Sequence, residues 1–158
     1  MSDKVDFKEY TPTLNTSAYS ANDQMEAGAV LVAGLTYGDG AGSILQTVTV
    51  LDKTGTPQDA DFTIYFFRNN PSVTGGINGA IGLTATNAAA AGYMGKVLIT
   101  GYESLGSVSV AVVKDLTIPL KAETGTNGIY VLLKTGGSPT YAAGSLVINF
   151  GLMPDKYK

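Results

Sequence analysis

From Gly28 onward the chain repeats one device: a short run rich in β-branched and aromatic residues, then a cluster of Gly, Asn, Asp, Ser or Pro. Runs bounded in this way read as strands joined by tight turns. Ala29–Tyr37 comes first and is closed by Gly38-Asp39-Gly40-Ala41-Gly42. Ser43–Leu51 follows, then the turn Asp52–Pro57, then Asp61–Phe67. In that third run Phe62, Ile64 and Phe66 share one face and Thr63, Tyr65 and Phe67 the other. Both faces are apolar, so a central strand covered on both sides is expected. Further runs are Met94–Thr100, Leu105–Val113, Leu116–Leu120, Ile129–Lys134 and Leu146–Leu152. Pro119 lies inside its run and marks an edge strand.

The tally is about eight strands without any βαβ alternation, which predicts a single-domain all-β sandwich or barrel. Eight strands suit a jelly roll. Residues 68–92 form the longest break, and a connection of that length carries function or covers a sheet. Within it Thr86 or Asn87 can cap the alanines that run up to Gly92, giving at most one short helix. Residues 1–27 hold no strand or helix period, and their apolar side chains occur singly. They predict an extended N-terminal arm, with 28–158 as the body. Such a segment is either a frayed terminus or an arm that orders on a partner.

Composition narrows the chemistry. The 158 residues include no His, no Cys and no Trp. Imidazole bases, thiolate nucleophiles, disulfides and the usual ligands of zinc, haem and iron–sulfur centres are therefore missing. Only 15% of residues are charged, the net charge is −3, and Arg68 is the one arginine. Nucleic acid is not an expected partner of such a chain. The polar start lacks the apolar core of a secretory signal. The longest apolar-rich stretch, Gly28–Tyr37, is too short to span a bilayer. A soluble protein made in a cytoplasm is expected, with no membrane partner.

Candidate sites are few. Asp52, Asp59 and Asp61 bracket a turn and could offer oxygens to calcium, but without EF-hand spacing; ordinary solvated turn residues are the simpler reading. Gly75–Gly82 and Gly95-Lys96 match neither phosphate-loop nor dinucleotide patterns. Asp61, Glu103 and Glu123 stand apart, with no Trp to stack a sugar. Tyrosine is abundant at nine copies, and Tyr10, Tyr19, Tyr93, Tyr102, Tyr141 and Tyr157 fall in predicted loops or the arm. Such residues serve interfaces or close the ends of a small β-barrel. Ser43–Leu51 and Ser104–Val113 carry no charge on either face, which leaves their surfaces suited to self-association.

Several segments together carry a family resemblance. They are the polar arm ending in Ser20–Gln24, the strand Ile44–Leu51 running into Asp52, and the aromatic strand Phe62–Phe67 followed by Asn70-Pro71. Gly92-Tyr93-Met94-Gly95 then leads into a strand, and Gly137–Ala143 precedes the closing strand Leu146–Phe150. Across most of residues 20–152 this layout resembles the capsid decoration, or cement, proteins of tailed bacteriophages. The resemblance implies a non-enzymatic virion protein with a sandwich or jelly-roll body and no cofactor. It implies a place on the outside of the expanded head, at local two-fold or three-fold axes, after synthesis in the host cytoplasm. The partners implied are the major capsid protein, whose neighbouring subunits it would clamp, and further copies of itself as a homodimer or homotrimer. Val5, Phe7, Tyr10, Leu14 and Tyr19 are the arm residues that composition offers for this reach. A head-fibre, tail or neck component, or a carbohydrate- or cell-surface-binding sandwich module, is the alternative.

Overall fold

A computed structural model describes residues 5–155. Ten strands and one helix occur among them: β1 (Asp6–Tyr10), β2 (Val30–Val32), β3 (Gly42–Asp52), β4 (Phe62–Phe67), α1 (Ala85–Ala90), β5 (Tyr93–Ile99), β6 (Glu103–Ser104), β7 (Ser109–Val113), β8 (Ile118–Lys121), β9 (Ile129–Thr135) and β10 (Leu146–Pro154). Every run expected from the sequence contains a strand. β1 and β6 are additional.

The strands form two antiparallel sheets, ordered β1-β10-β3-β7-β6 and β2-β9-β4-β5. β8 pairs with the first part of β3, where Ile44 lies opposite Pro119. Pairing is nested along the chain: β4 with β5 innermost, then β3 with β7 and β8, then β2 with β9, then β1 with β10. A long hairpin rolled up in this order is a jelly roll. β8 meets only β3 in the ladder, as an edge strand carrying Pro119 should.

The core lies between the sheets. Phe62, Ile64 and Phe66 of β4 and Ile129, Val131 and Leu133 of β9 face Leu45, Val48 and Val50 of β3 and Ile148, Phe150 and Leu152 of β10, all buried. Phe66 and Phe150 meet edge-on across the sandwich with ring centroids 5.9 Å apart. The opposite face of β4 is covered too, as its two apolar faces predict. Phe67 and Leu132 pack with Ala91, Val73, Ile81 and Leu83 from the 68–92 connection. That connection is a sheet cover. Its helix is capped by Thr84, whose hydroxyl accepts the Asn87 N–H at 3.1 Å, two residues before the earlier of the expected caps.

The N-terminal segment differs from the expected arm. β1 is the first strand of the jelly roll, in register with β10 from Asp6 opposite Leu152 to Tyr10 opposite Ile148. Beyond it the chain enters the core: Leu14, Tyr19 and Met25 are buried there. Met25 N–H donates to Leu133 O and Thr135 N–H to Asp23 O, so residues 23–25 lie along β9. The isolated apolar residues of this stretch fill gaps at the end of the sandwich without forming a periodic face. Tyr19 stacks edge-on against Tyr141 at 6.3 Å.

Candidate interaction surface

The two sheets present opposite outer faces. The part of the β2-β9-β4-β5 face around Phe67 and Leu132 lies under the 68–92 connection, while Leu31 of β2 and Leu98 of β5 are exposed. The β1-β10-β3-β7 face has no such cover among the described residues. Its side chains follow from alternation against the core residues. β3 contributes Thr47, Thr49 and Leu51; β10 contributes Asn149 and Met153, with Val147 and Gly151 on the same side but buried; β7 contributes Val110 and Val112. Thr49 lies between Val112 and Asn149, and Leu51 between Val110 and Val147. Phe7 and Val5 close the β1 side: a Cβ built on Gly151 would meet Thr47 Oγ1, Phe7 Cε1 and Val5 Cγ1. Gly151 is buried, and only a glycine leaves room for the Thr47, Phe7 and Val5 side chains that pack over it.

The outward positions of β3, β7 and β10 hold no charged residue, and exposed Lys114 follows Val112 by two residues past the end of β7. Glu9, opposite Asn149, and Glu103, opposite Val110, lie at its two edges. Val112 is 47% exposed, Phe7 66% and Leu105, just past β6, 62%. β7 shows the bias most plainly. Its small residues Ser109 and Ala111 point inward and are buried, while Val110 and Val112 point out. Cα atoms of β5 and β7 approach within 8 Å, closer than the about 10 Å between stacked sheets. Only small side chains fit that gap, and the Ser109 hydroxyl there donates to Asp59. The valines are left on the surface.

The five arm candidates do not share one surface. Val5 and Phe7 are exposed on this outer face. Tyr10 is half-buried against the core, and its hydroxyl donates to Glu26. Leu14 and Tyr19 are core residues; the Tyr19 hydroxyl donates to Met25 O at 2.8 Å and accepts the Asn15 N–H at 2.7 Å. Leu14 and Tyr19 are thereby withdrawn from the surface, while Tyr10 borders a cleft. Sequence reasoning found the uncharged runs of β3 and β7 but did not join them to β10 and β1. The missing signal is strand order: residues 47–49, 110–112 and 149–151 become one surface only when β10 and β7 flank β3.

The remaining polar clusters are structural. Asp52 is buried, and its carboxylate accepts the Thr54 N–H at 3.0 Å, the Thr54 hydroxyl and the Gln58 N–H at 2.8 Å, closing the 52–58 turn. Among the described residues no three carboxylates gather as a metal-ligand group. Glu26 lies at a cleft of about 600 Å³ bordered by Tyr10, Thr13, Val30 and Asn70. Burial raises the Glu26 carboxyl above its ordinary value, against the hydrogen bonds from Tyr10 and from the Thr13 N–H at 2.8 Å. Burial and the neighbouring carboxylate likewise raise the Tyr10 phenol. The pair clasps the end of β1 to residues 24–28 and brings no second acid or base into the cleft. Tyr157 lies outside the described residues. Among the described residues no helix is long and apolar enough to cross a membrane.

No family model and no curated protein matches the chain in sequence. Two solved structures are similar to it in fold. A chain from the X-ray structure of tomato aspermy virus shares 12% identity, with 98% of this chain and 80% of that one covered and a TM-score of 0.45. A chain from the empty head of turnip yellow mosaic virus shares 14% identity, with 100% and 87% covered and a TM-score of 0.34. Superpositions this loose carry no argument about function, and the jelly roll stands on the strand order of the chain itself.

Proposed function

We propose that this protein is a non-enzymatic structural component of a virion, acting by protein–protein contact as a decoration protein on the outside of an expanded phage head. The observation that carries the proposal is the outer face of the β1-β10-β3-β7 sheet, where the outward positions of β3, β7 and β10 hold no charged residue. Monomeric proteins blunt such faces with charge or cover them with chain, as the 68–92 connection does over part of the other sheet. The sequence resemblance to cement proteins supplies the partner, the major capsid protein, whose neighbouring subunits the protein would hold together through many weak copies. Val5 and Phe7 are the arm candidates exposed for this contact.

Co-sedimentation of purified protein with expanded and unexpanded heads tests the reading. Saturable binding to expanded heads only, at a stoichiometry that fits a set of local symmetry axes, is the expected result. Absence of binding to both would overturn it. A ligand-dependent rise in melting temperature in a glycan screen would then favour a carbohydrate-binding module.

A further inference from the structure

We infer that the cleft beside Glu26 is a binding site for a basic side chain, an arginine or lysine on an extended segment of a partner protein. The site is built around residues 26–30 and 70–73 and does not depend on the β1-β10-β3-β7 face being an interface. Glu26 is 3% exposed, yet it lies at the wall of a cleft of about 600 Å³. Two hydrogen bonds reach its carboxyl, from the Tyr10 hydroxyl and from the Thr13 N–H. Neither donor is a cation, and among the described residues no lysine or arginine borders the cleft. A buried carboxylate is ordinarily matched by a positive charge, because its desolvation is costly. Burial accordingly raises the Glu26 carboxyl. A cation entering the cleft supplies the missing counter-charge where little water competes, and there a charge-assisted hydrogen bond is strongest.

The backbone explains why the carboxyl stands there. Gln24 bridges to Lys134 and Val30 pairs with Val131, so residues 25–29 lie opposite Leu132 and Leu133 alone. The surplus makes a bulge at the edge of the sheet, an irregularity that re-aims side chains and is frequent at functional sites. Among the described residues, the N–H and C=O groups of Ala27 and Gly28 make no hydrogen bond to the chain. They are available to the main chain of a visiting peptide. Gly28 leaves its surroundings open, since a Cβ built on it meets nothing within 4 Å. Asn70 and Ser72, both exposed, add polar groups to the border. The volume falls within the range of about 300–1,000 Å³ typical of ligand sites. A peptide therefore suits the cleft better than a free amine: its cation meets Glu26 while its backbone meets the bulge.

Titration of the full chain with the acetylated, amidated tripeptide Ala-Arg-Ala tests the site, with amide chemical shifts as the readout. At about pH 8, above the ordinary carboxylate range, a Kd of roughly 0.1–1 mM is expected, with shifts centred on residues 26–30 and 70–73. The citrulline counterpart has the same shape without the charge and should bind about tenfold more weakly or worse. Glu26→Gln should abolish that difference between the two peptides. Ser72→Lys places a competing cation at the border and should weaken the arginine peptide by a similar factor. Ser72 is exposed and only its backbone carbonyl is engaged, by the Asn87 side chain, so this variant tests the site even where Glu26→Gln fails to fold. Glu123→Gln removes one carboxylate from an exposed turn elsewhere and should change nothing. Equal binding of the arginine and citrulline peptides, or shifts that fall outside the cleft, overturns the inference. Head binding without peptide binding overturns this inference alone; peptide binding by a protein blind to heads leaves it standing and overturns the virion reading.

Discussion

Replacing Tyr19 by alanine separates a core-lining segment from a dispensable arm. The ring is 2% exposed, stacks on Tyr141, and ties Asn15 N–H and Met25 O to one hydroxyl. Truncating a buried aromatic costs about 3–5 kcal/mol, because the lost transfer energy adds to a cavity the neighbours cannot fill. The buried Met25 carbonyl and the part-buried Asn15 N–H also lose their partner, at about 1 kcal/mol or more where water cannot replace it. Tyr19→Phe keeps the ring and loses only the hydroxyl, so about 1–2 kcal/mol is expected there. Urea unfolding followed by circular dichroism measures both against the wild type, with the slopes compared to check that the unfolded states match. A loss below about 1 kcal/mol for Tyr19→Ala would refute the placement of residues 14–25 in the core and restore a detachable arm.

Deleting residues 1–10 removes β1 and bares the β10 edge, so the truncated protein should aggregate or lose cooperativity in a thermal melt; a monodisperse, fully stable product would count against β1 as a strand of the sheet. Glu26 has a raised native carboxyl, so its protonated form is favoured by folding. Its contribution is full below the ordinary glutamate value and fades as pH rises through the raised one, so wild-type stability relative to Glu26→Gln should fall with increasing pH in paired melts, and a flat difference would sink the idea. Gly75 has φ +118°, and a Cβ there would lie 2.2 Å from Ala80 O, so Gly75→Ala should destabilise the sheet cover by about 2 kcal/mol, read as a lower melting temperature.

The class of fold was legible in the chain because strand signals are local. β-branched runs ending in Gly, Asn or Pro lie where β3, β4, β5, β9 and β10 form, and the doubly apolar Phe62–Phe67 gave a strand covered on both sides. Pro119 announced an edge because a missing N–H is a property of one residue. β1 was not legible, since Asp6–Tyr10 buries almost nothing and is a strand only because β10 offers it a ladder. Leu14 and Tyr19 hold no period because they fill gaps left by other elements. The orientation of β7 was also undetermined: alternation separates Val110 and Val112 from Ser109 and Ala111 but cannot say which set goes inside. The close approach of β5 settles that in favour of the small residues and leaves the valines out. The sequence thus determined that the chain is all-β and poor in charge. Only the tertiary structure, by setting β10 and β7 on either side of β3, gathered that poverty of charge into one surface.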